Sequence, residues 1–182
     1  GGAVSVLVVD NTTTAKIAGT ADAWGNVVVR SADDTDVTIV DGAGGFGLGG
    51  AGVSVGVMSV TKTTEAYVAN TPGNHAIVHA RGNAAGASAL AGTLSGGDAG
   101  NGFDSTTAQG LVVEASSHGK AFHLNVAAGA GFIGLAGGIT VSVMNADTHA
   151  YIDNADVNWT GNGGSDGQQA VFVNAADEAR IA

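Results

Sequence analysis

The chain of 182 residues contains 31 glycines, one proline and no cysteine, and its apolar residues are mostly Val and Ala. Sixteen acidic side chains against six Lys and Arg give a formal net charge of −10, so the basic stripe that a nucleic acid requires is missing. The absence of cysteine excludes a disulfide scaffold and a Cys-ligated metal site. A content of 45% hydrophobic and 12% charged residues is also the wrong composition for disorder.

The first segment, residues 3–19, joins a Val-rich strand pattern, a threonine cluster and a second strand pattern. The same order recurs over residues 53–70 and 138–154. When Ala15, Ala66 and Ala150 are aligned, the Val and Thr columns of the first two copies coincide, and the third copy follows after a longer interval. Repetition on this scale predicts a solenoid or an array.

A second block also repeats. "NVVVRSADD" at residues 26–34 is similar to "GLVVEASSH" at 110–118 and to "AVFVNAADE" at 170–178. The glycine-rich run at 44–55 is similar to the run at 129–143. The unit is therefore composite, and both of its parts should lie in register when the copies are stacked.

The local pattern predicts an all-β fold. Short runs of alternating or β-branched residues are separated by clusters such as "DNTTT" and "SADDTD", which predict turns. Few aromatics and long Gly-Ala stretches favour a parallel β-helix over a sandwich or a barrel. Three strands with their turns predict a coil of roughly 25 residues and a chain of about seven coils. We expect residues 1–182 to be a single β-helix segment cut from a longer chain.

Residues 71–109 interrupt this pattern. The interval between the second and third copies is longer than that between the first and second, and the extra length falls in this segment. Its strand-like part is Ala76 to Arg81, and the remainder is mostly Gly, Ala and Ser. The insertion is either a loop standing off the rod or one plain coil, and it is where a binding function is expected, because loops on rigid scaffolds carry function.

Residues 124–144 contain no charge over 21 positions, a length that spans a bilayer. The glycines in this run and the alternation of "ITVSVM" instead favour two buried strands joined by a glycine corner. We therefore expect no membrane insertion of this segment.

The stretch "AGVSVGVMSVTKTTEAYV", Ala51 to Val68, resembles the repeats of very large bacterial surface proteins of the filamentous haemagglutinin type, in particular the leukotoxin-like filamentous adhesins. The match extends to Gly137–Ile152 and to Gly2–Ile17, where Lys16 replaces the tyrosine. The resemblance implies a right-handed parallel β-helix that is exported to the bacterial cell surface. It also implies a stalk or adhesive surface whose partners are host or neighbouring cells, glycans among them.

Candidate chemistry is sparse. His75 and His79 are four residues apart, about 13 Å on a strand, which is too far to share a zinc ion and indicates surface or groove histidines. The segments "GGDAGNGFD" and "GNGGSDG" faintly resemble calcium-binding repeats. They make Asp98, Asp104 and Asp166 calcium candidates, although simple Gly-Asp turns explain them more economically.

Asp33, Asp34 and Asp36 are clustered with Arg30 nearby, as in a carbohydrate-active site, but a solvated turn is the simpler interpretation. The threonine clusters suggest an ice-binding array, which the third copy breaks with "NADT". We therefore expect no catalysis and no cofactor. The predicted function is a structural rod of an exported adhesin. The alternatives are a self-associating extracellular filament and a carbohydrate-active β-helix domain.

Overall fold

The computed structural model describes residues 1–97, 102–159 and 168–182. Apart from one short 3-10 turn at Ser95–Gly97, the regular elements of the described part are strands, as the alternating pattern predicted. They are β1 (Gly2–Ile17), β2 (Thr20–Ala23), β3 (Val27–Ala69), β4 (Ile77–Ala80), β5 (Ala87–Leu94), β6 (Phe103–Ala108), β7 (Gly110–Asp153), β8 (Asp156–Val157) and β9 (Ala170–Ile181).

The four long strands form one parallel sheet in the order β1-β3-β7-β9. Ala15 lies beside Ala66, and Ala66 beside Ala150. In the second block Leu111 lies between Val27 and Val171. The registers that the internal repeats predicted are therefore confirmed, and the curled parallel sheet is consistent with a β-solenoid.

The predicted coil length and the count of about seven coils are not confirmed. Gly2 pairs with Val53, a step at least twice as long as the predicted coil, and the later steps of the stack are longer still. The main reason is that "DNTTT" and "SADDTD", predicted as turns, continue strands β1 and β3. Threonine is β-branched and suits a strand, and the inward polar side chains find partners across the sheet interior, as described below.

Each of the two longest strands is folded back on itself at a glycine corner. In β3, odd-numbered residues alternate inward over residues 27–45 and even-numbered residues over 50–68. We call residues 27–45 and 110–129 first arms, and residues 50–69 and 134–153 second arms. Strand β1 stacks on a second arm, and β9 on a first arm. The interior of the curled sheet lies between the two sets of arms.

This interior is a wedge that narrows toward the glycine corner. A Cβ built on Gly45 would overlap the backbone oxygen of Ala51, and one on Gly50 would overlap the backbone oxygens of Gly45 and Ala130. At the corner Gly47 has a φ of 138°, which side chains rarely adopt. The prediction that the Gly-Ala stretches serve close backbone approach is confirmed.

Apolar side chains fill the wider part of the wedge in two clusters. The larger lies at the open end, where β4 closes the gap between the arms, and it consists of Val29, Ala66, Val68, Ala76, Val78, Ala80, Leu111, Val113 and Ala115. The smaller lies nearer the corner and consists of Val37, Met58, Val60 and Ala121. Most of these side chains are Val and Ala, because even the wider part of the wedge leaves little space between the arms.

A buried ion pair separates the two clusters. Lys62 on the second arm pairs with Asp33 on the first arm, and both side chains are almost completely buried. Burial raises the pKa of Asp33, but hydrogen bonds from Lys62 and Thr35 outweigh it, so the pKa lies below its ordinary value. Asp33 is thus an interior group, and its prediction as part of a solvated turn was wrong.

A second polar layer lies nearer the corner. His123 Nε2 is 2.6 Å from Asp41 Oδ2, and both side chains are buried. His123 Nδ1 is 3.2 Å from Ser142 Oγ on the facing arm. The nearby hydroxyl of Ser5 and the imidazole of His123 hold the pKa of Asp41 below its ordinary value. The layer leaves no volume at Gly56, where an added Cβ would overlap both Asp41 Oδ2 and His123 Nε2.

The rings of Tyr67 and Tyr151 stack with centroids 4.9 Å apart and planes at 6°. The predicted tyrosine ladder is therefore confirmed, but Tyr151 is 37% exposed and lies on the outer side of the sheet. Removing either ring should therefore cost nearer 1 kcal/mol than the roughly 3 kcal/mol of a buried ring.

Residues 124–144 lie within β7 as strand, with a glycine corner in the middle as predicted. Their large side chains are exposed rather than buried, with Phe132 at 89%. Among the described residues, no helix has the length and apolar character needed to cross a bilayer.

We predict that Gly56→Ala destabilises the protein by about 1–3 kcal/mol, because the added methyl overpacks the Asp41–His123 layer. Gly49→Ala is the matched control, since nothing lies within 4 Å of a Cβ at that position. Urea unfolding of both variants measures the effect. Equal free energies of unfolding for the two would contradict the narrow wedge.

We predict that Lys62→Ala costs about 3 kcal/mol or more, because it leaves Asp33 buried without its cation. The neighbouring layer already carries Ser117 beside Asp33 and Ala146 beside Lys62. The double variant Asp33→Ser/Lys62→Ala copies that layer, and it should be more stable than Lys62→Ala alone. A double variant less stable than the single one would rule out an unpaired carboxylate as the cause.

The ion pair also predicts the direction of acid sensitivity. Because the folded pKa of Asp33 is lowered, its contribution is complete above the ordinary value of 3.8 and is lost as the pH falls through the lower folded value. The stability gap between the wild type and the double variant, measured by urea unfolding across this range, should therefore shrink below pH 3.8.

Candidate functional site: the cleft beneath the hairpin

The insertion at 71–109 contributes two separate features. Strand β4 joins the stack between β2 and β8. The remainder contains β5 and β6, which pair antiparallel with Ala87 beside Ala108. We call β5 and β6 the hairpin. Near its two ends are glycines in the left-handed region, Gly82 with φ 67° and Gly110 with φ 94°, where a side chain would strain the backbone.

The hairpin lies over the outer side of the first arms. The Leu90 N–H donates to Glu114 Oε2 at 2.8 Å, and Asn174 Nδ2 donates to the Leu90 carbonyl at 3.0 Å. Ala89 is 1% exposed. The hairpin is therefore packed against the rod at these positions rather than standing off it.

Arg30 and Glu114 reinforce this attachment. Their side chains form an ion pair, and Arg30 Nη2 also donates to the Ser88 carbonyl at 2.5 Å. Glu114 is only 2% exposed because the hairpin covers it. Asn26 holds the base of the insertion by donating to the Ala85 carbonyl and accepting from the Gly110 N–H.

A cleft of about 490 Å³ opens between the hairpin and the first arms. We call it the hairpin cleft, and its lining consists of Ala32, Asp33, Asp34, Leu90, Gly102, Phe103, Ser116, His118 and Lys120. The hairpin supplies one apolar wall through Leu90 and Phe103. The sheet supplies a polar floor with both acids and bases.

Stacking places three ionisable groups in a row, because His118 pairs with Asp34 on one side and with Glu178 on the other. Asp34 and His118 line the floor, and Glu178 lies beside it. His118 Nδ1 is 2.9 Å from Asp34 Oδ1, and His118 Nε2 is 3.5 Å from Glu178 Oε2. Asp34 is exposed, whereas Glu178 is 5% exposed and accepts from the Gly102 N–H at 3.2 Å. A parallel row two residues further on contains Asp36, Lys120 and Arg180.

The predicted calcium candidates are not brought together in the described part of the chain. Asp104 is exposed and accepts a hydrogen bond from Thr93 Oγ1 at 3.0 Å. Asp98 and Asp166 lie outside the described residues. Within the ranges described, no group of three or more His, Cys, Asp or Glu side chains is arranged to hold a metal ion.

The aspartate cluster and the histidine pair separate in the structure. Both Asp33 and Asp34 line the cleft, but the carboxylate of Asp33 pairs with Lys62 inside the wedge, whereas Asp34 is exposed. His75 is exposed and lies 3.0 Å from Asp156. His79 is 5% exposed, so its prediction as a surface or groove residue was wrong. It lies on β4, which fills the open end of the wedge.

Sequence reasoning missed His118 and Glu178 as site residues. The signal was present, because the alignment of the second block places Asp34, His118 and Glu178 in one column. Adjacent strands of a stack bring such a column together within about 5 Å per step. The contact of Phe103 with this floor has no comparable signal, since it depends on the path of the hairpin.

Comparison with known proteins gives no further assignment. No family model, no curated protein and no solved structure matches the chain. The geometry of the wedge and of the hairpin cleft therefore carries the functional argument.

The first turn has a short connection at the place where the next turn carries the hairpin. Ala23 lies beside Ala80 and Val27 beside Leu111, so residues 24–26 make the connection that residues 81–110 make one turn later. We predict that replacing residues 81–110 with Trp-Gly-Asn, the sequence of 24–26, retains the strand-dominated circular dichroism spectrum. The deletion exposes the residues that the hairpin covers, so the thermal midpoint should fall. The fall should be modest, because both wedge clusters remain. Loss of cooperative unfolding would show that the hairpin is part of the core.

Proposed function

We propose that this chain is a structural segment of a right-handed parallel β-helix rod, displayed outside a bacterial cell as part of an adhesin. The observation that carries the proposal is the stack of repeats in register, with strand edges open at both ends. A solenoid of this kind gains length by adding turns, each of which needs contacts only with its neighbours. The resemblance of the Val-Thr-Tyr repeats to filamentous adhesins supports export and surface display.

The open edges are defined by the pairing. Among the described residues, β1 is paired on one side only, and so is β9. In the described part of the chain, residues 27–50 have no further strand partner at the first end, and residues 124–153 have none at the other. Because all stacked strands are parallel, the two ends are complementary, and a further turn or a second copy can continue the sheet. End-to-end association is therefore the partner mode that we propose for the rod.

A carbohydrate-active β-helix domain is the second candidate. The hairpin cleft favours it, because acids and bases converge there, as such chemistry requires. Asp34 is 81% exposed, whereas a catalytic acid acts best in a site from which water is excluded. We therefore rank the rod function first.

The direction of the free edge on β9 gives a test of association. The Ala182 N–H donates to the Ala121 carbonyl at 2.9 Å, and the Ala182 carbonyl accepts from the His123 N–H at 3.0 Å. Because alternate residues of a strand point in opposite directions, the Ala179 N–H points away from β7. A proline at residue 179 therefore blocks the free edge without removing a hydrogen bond to β7.

We predict that the intact chain forms elongated oligomers as its concentration rises, and that Ala179→Pro reduces them. Sedimentation velocity and electron microscopy measure both. Ala179→Ser is the matched control and should associate like the wild type. A chain that stays monomeric at all concentrations, or equal association of the proline and serine variants, would contradict stacking through this edge.

A further inference from the structure

We propose that the hairpin cleft binds a neutral saccharide, with the ring of Phe103 against the face of the sugar and the Asp34–His118–Glu178 row bonded to its hydroxyl groups. The cleft lies on the outer side of the first arms, whereas stacking would use the backbone edges of the same strands. Asp34 lies on the edge strand at one end of the stack and Glu178 on β9 at the other.

The shape and lining of the cleft point to a small polyhydroxylated ligand. A binding site of this type combines apolar surface with a few convergent polar groups. Here Leu90 and Phe103 form the apolar wall, and Ser116, His118 and Lys120 lie on the floor. A sugar ring presents C–H groups on its face and hydroxyls at its rim, so one molecule contacts wall and floor together.

Unused hydrogen-bonding capacity lies next to this floor. Glu178 Oε1 and His118 Nε2 are buried and have no hydrogen-bond partner among the described residues. Glu178 is more than nine-tenths buried, and its other oxygen accepts from the Gly102 N–H at the edge of the cleft. A buried polar atom without a partner carries a desolvation cost. A hydroxyl is the group that best removes it, because it donates to the carboxylate and accepts from or donates to the imidazole.

Charge selects a neutral ligand over an acidic one. Asp34 and Glu178 flank His118, and the next row contains Asp36 with Lys120 and Arg180, so the two rows hold three carboxylates and two fixed cations. The whole chain has a formal net charge of −10. A uronate or a phosphate placed beside Asp34 would be repelled, whereas hydroxyls donate readily to carboxylates. The same carboxylates therefore favour a neutral sugar and disfavour an anion.

The spacing of the floor suits an extended ligand rather than a single group. Asp34, His118 and Glu178 follow one another at roughly 5 Å across the strands, and Lys120 lies about 6.6 Å from His118 along β7. Donors and acceptors thus alternate over a grid beneath the hairpin. This distribution fits two or more linked sugar units lying along the stacking axis.

The test uses an array of neutral oligosaccharides built from glucose, galactose, mannose or xylose, followed by calorimetry on the glycans retained. Oligogalacturonate and hyaluronan fragments serve as acidic probes. We expect at least one neutral series to bind, and Phe103→Ala and Glu178→Gln each to weaken that binding about tenfold or more. Phe46→Ala is the matched control: it removes an 82% exposed ring at the glycine corner and should leave the affinity unchanged.

Binding is measured over the same concentration range as association of the wild type, so that failure of binding and failure of stacking are seen separately. Thermal unfolding of each variant shows that the fold is retained. Absence of binding to every neutral series, tighter binding of the acidic probes, or unchanged affinity of Phe103→Ala in a folded variant would overturn the proposal. Cleavage of a bound glycan that Asp34→Asn abolishes would replace binding with catalysis.

Discussion

The separation of the two arms of each long strand is the constraint on which the rest of the structure depends. At the glycine corner the arms are so close that a Cβ on Gly45 or Gly50 would overlap backbone oxygen atoms. Farther from the corner the interior admits larger buried side chains, among them Met58, Val60 and Lys62. Val and Ala dominate the composition because few positions of the wedge admit anything larger.

The narrow wedge also contains polar side chains, and these are paired with one another across or along the interior. Lys62 reaches across the gap to Asp33, and His123 pairs with Asp41 nearer the corner. Each pair links the two arms at one level, and neither could move by a residue without leaving a charge unpaired in the interior. These layers therefore help to fix the register of the facing arms, which small apolar side chains alone specify weakly.

The sequence predicted the stacking better than the path of a single turn. The alignment of Ala15, Ala66 and Ala150 and the stacked tyrosines follow from repetition, and both are present. Turn propensity failed at "DNTTT" and "SADDTD", because contacts across the wedge override a local preference. The predicted coil length is not confirmed either, since the residues predicted as several short strands form one curled strand of 43 residues.

The candidate site was half visible in the same alignment. The row of Asp34, His118 and Glu178 follows from the register of the stacked repeats, so it can be predicted from the sequence. The apolar wall cannot be predicted in this way. Phe103 reaches the floor only through the antiparallel pairing of β5 with β6 and the attachment of Leu90 to Glu114. That attachment lies on the outer side of the sheet, perpendicular to the stacking direction. The proposed stacking would use the backbone edges of these strands, and the proposed sugar binding would use their outward side chains, so one set of strands could serve both.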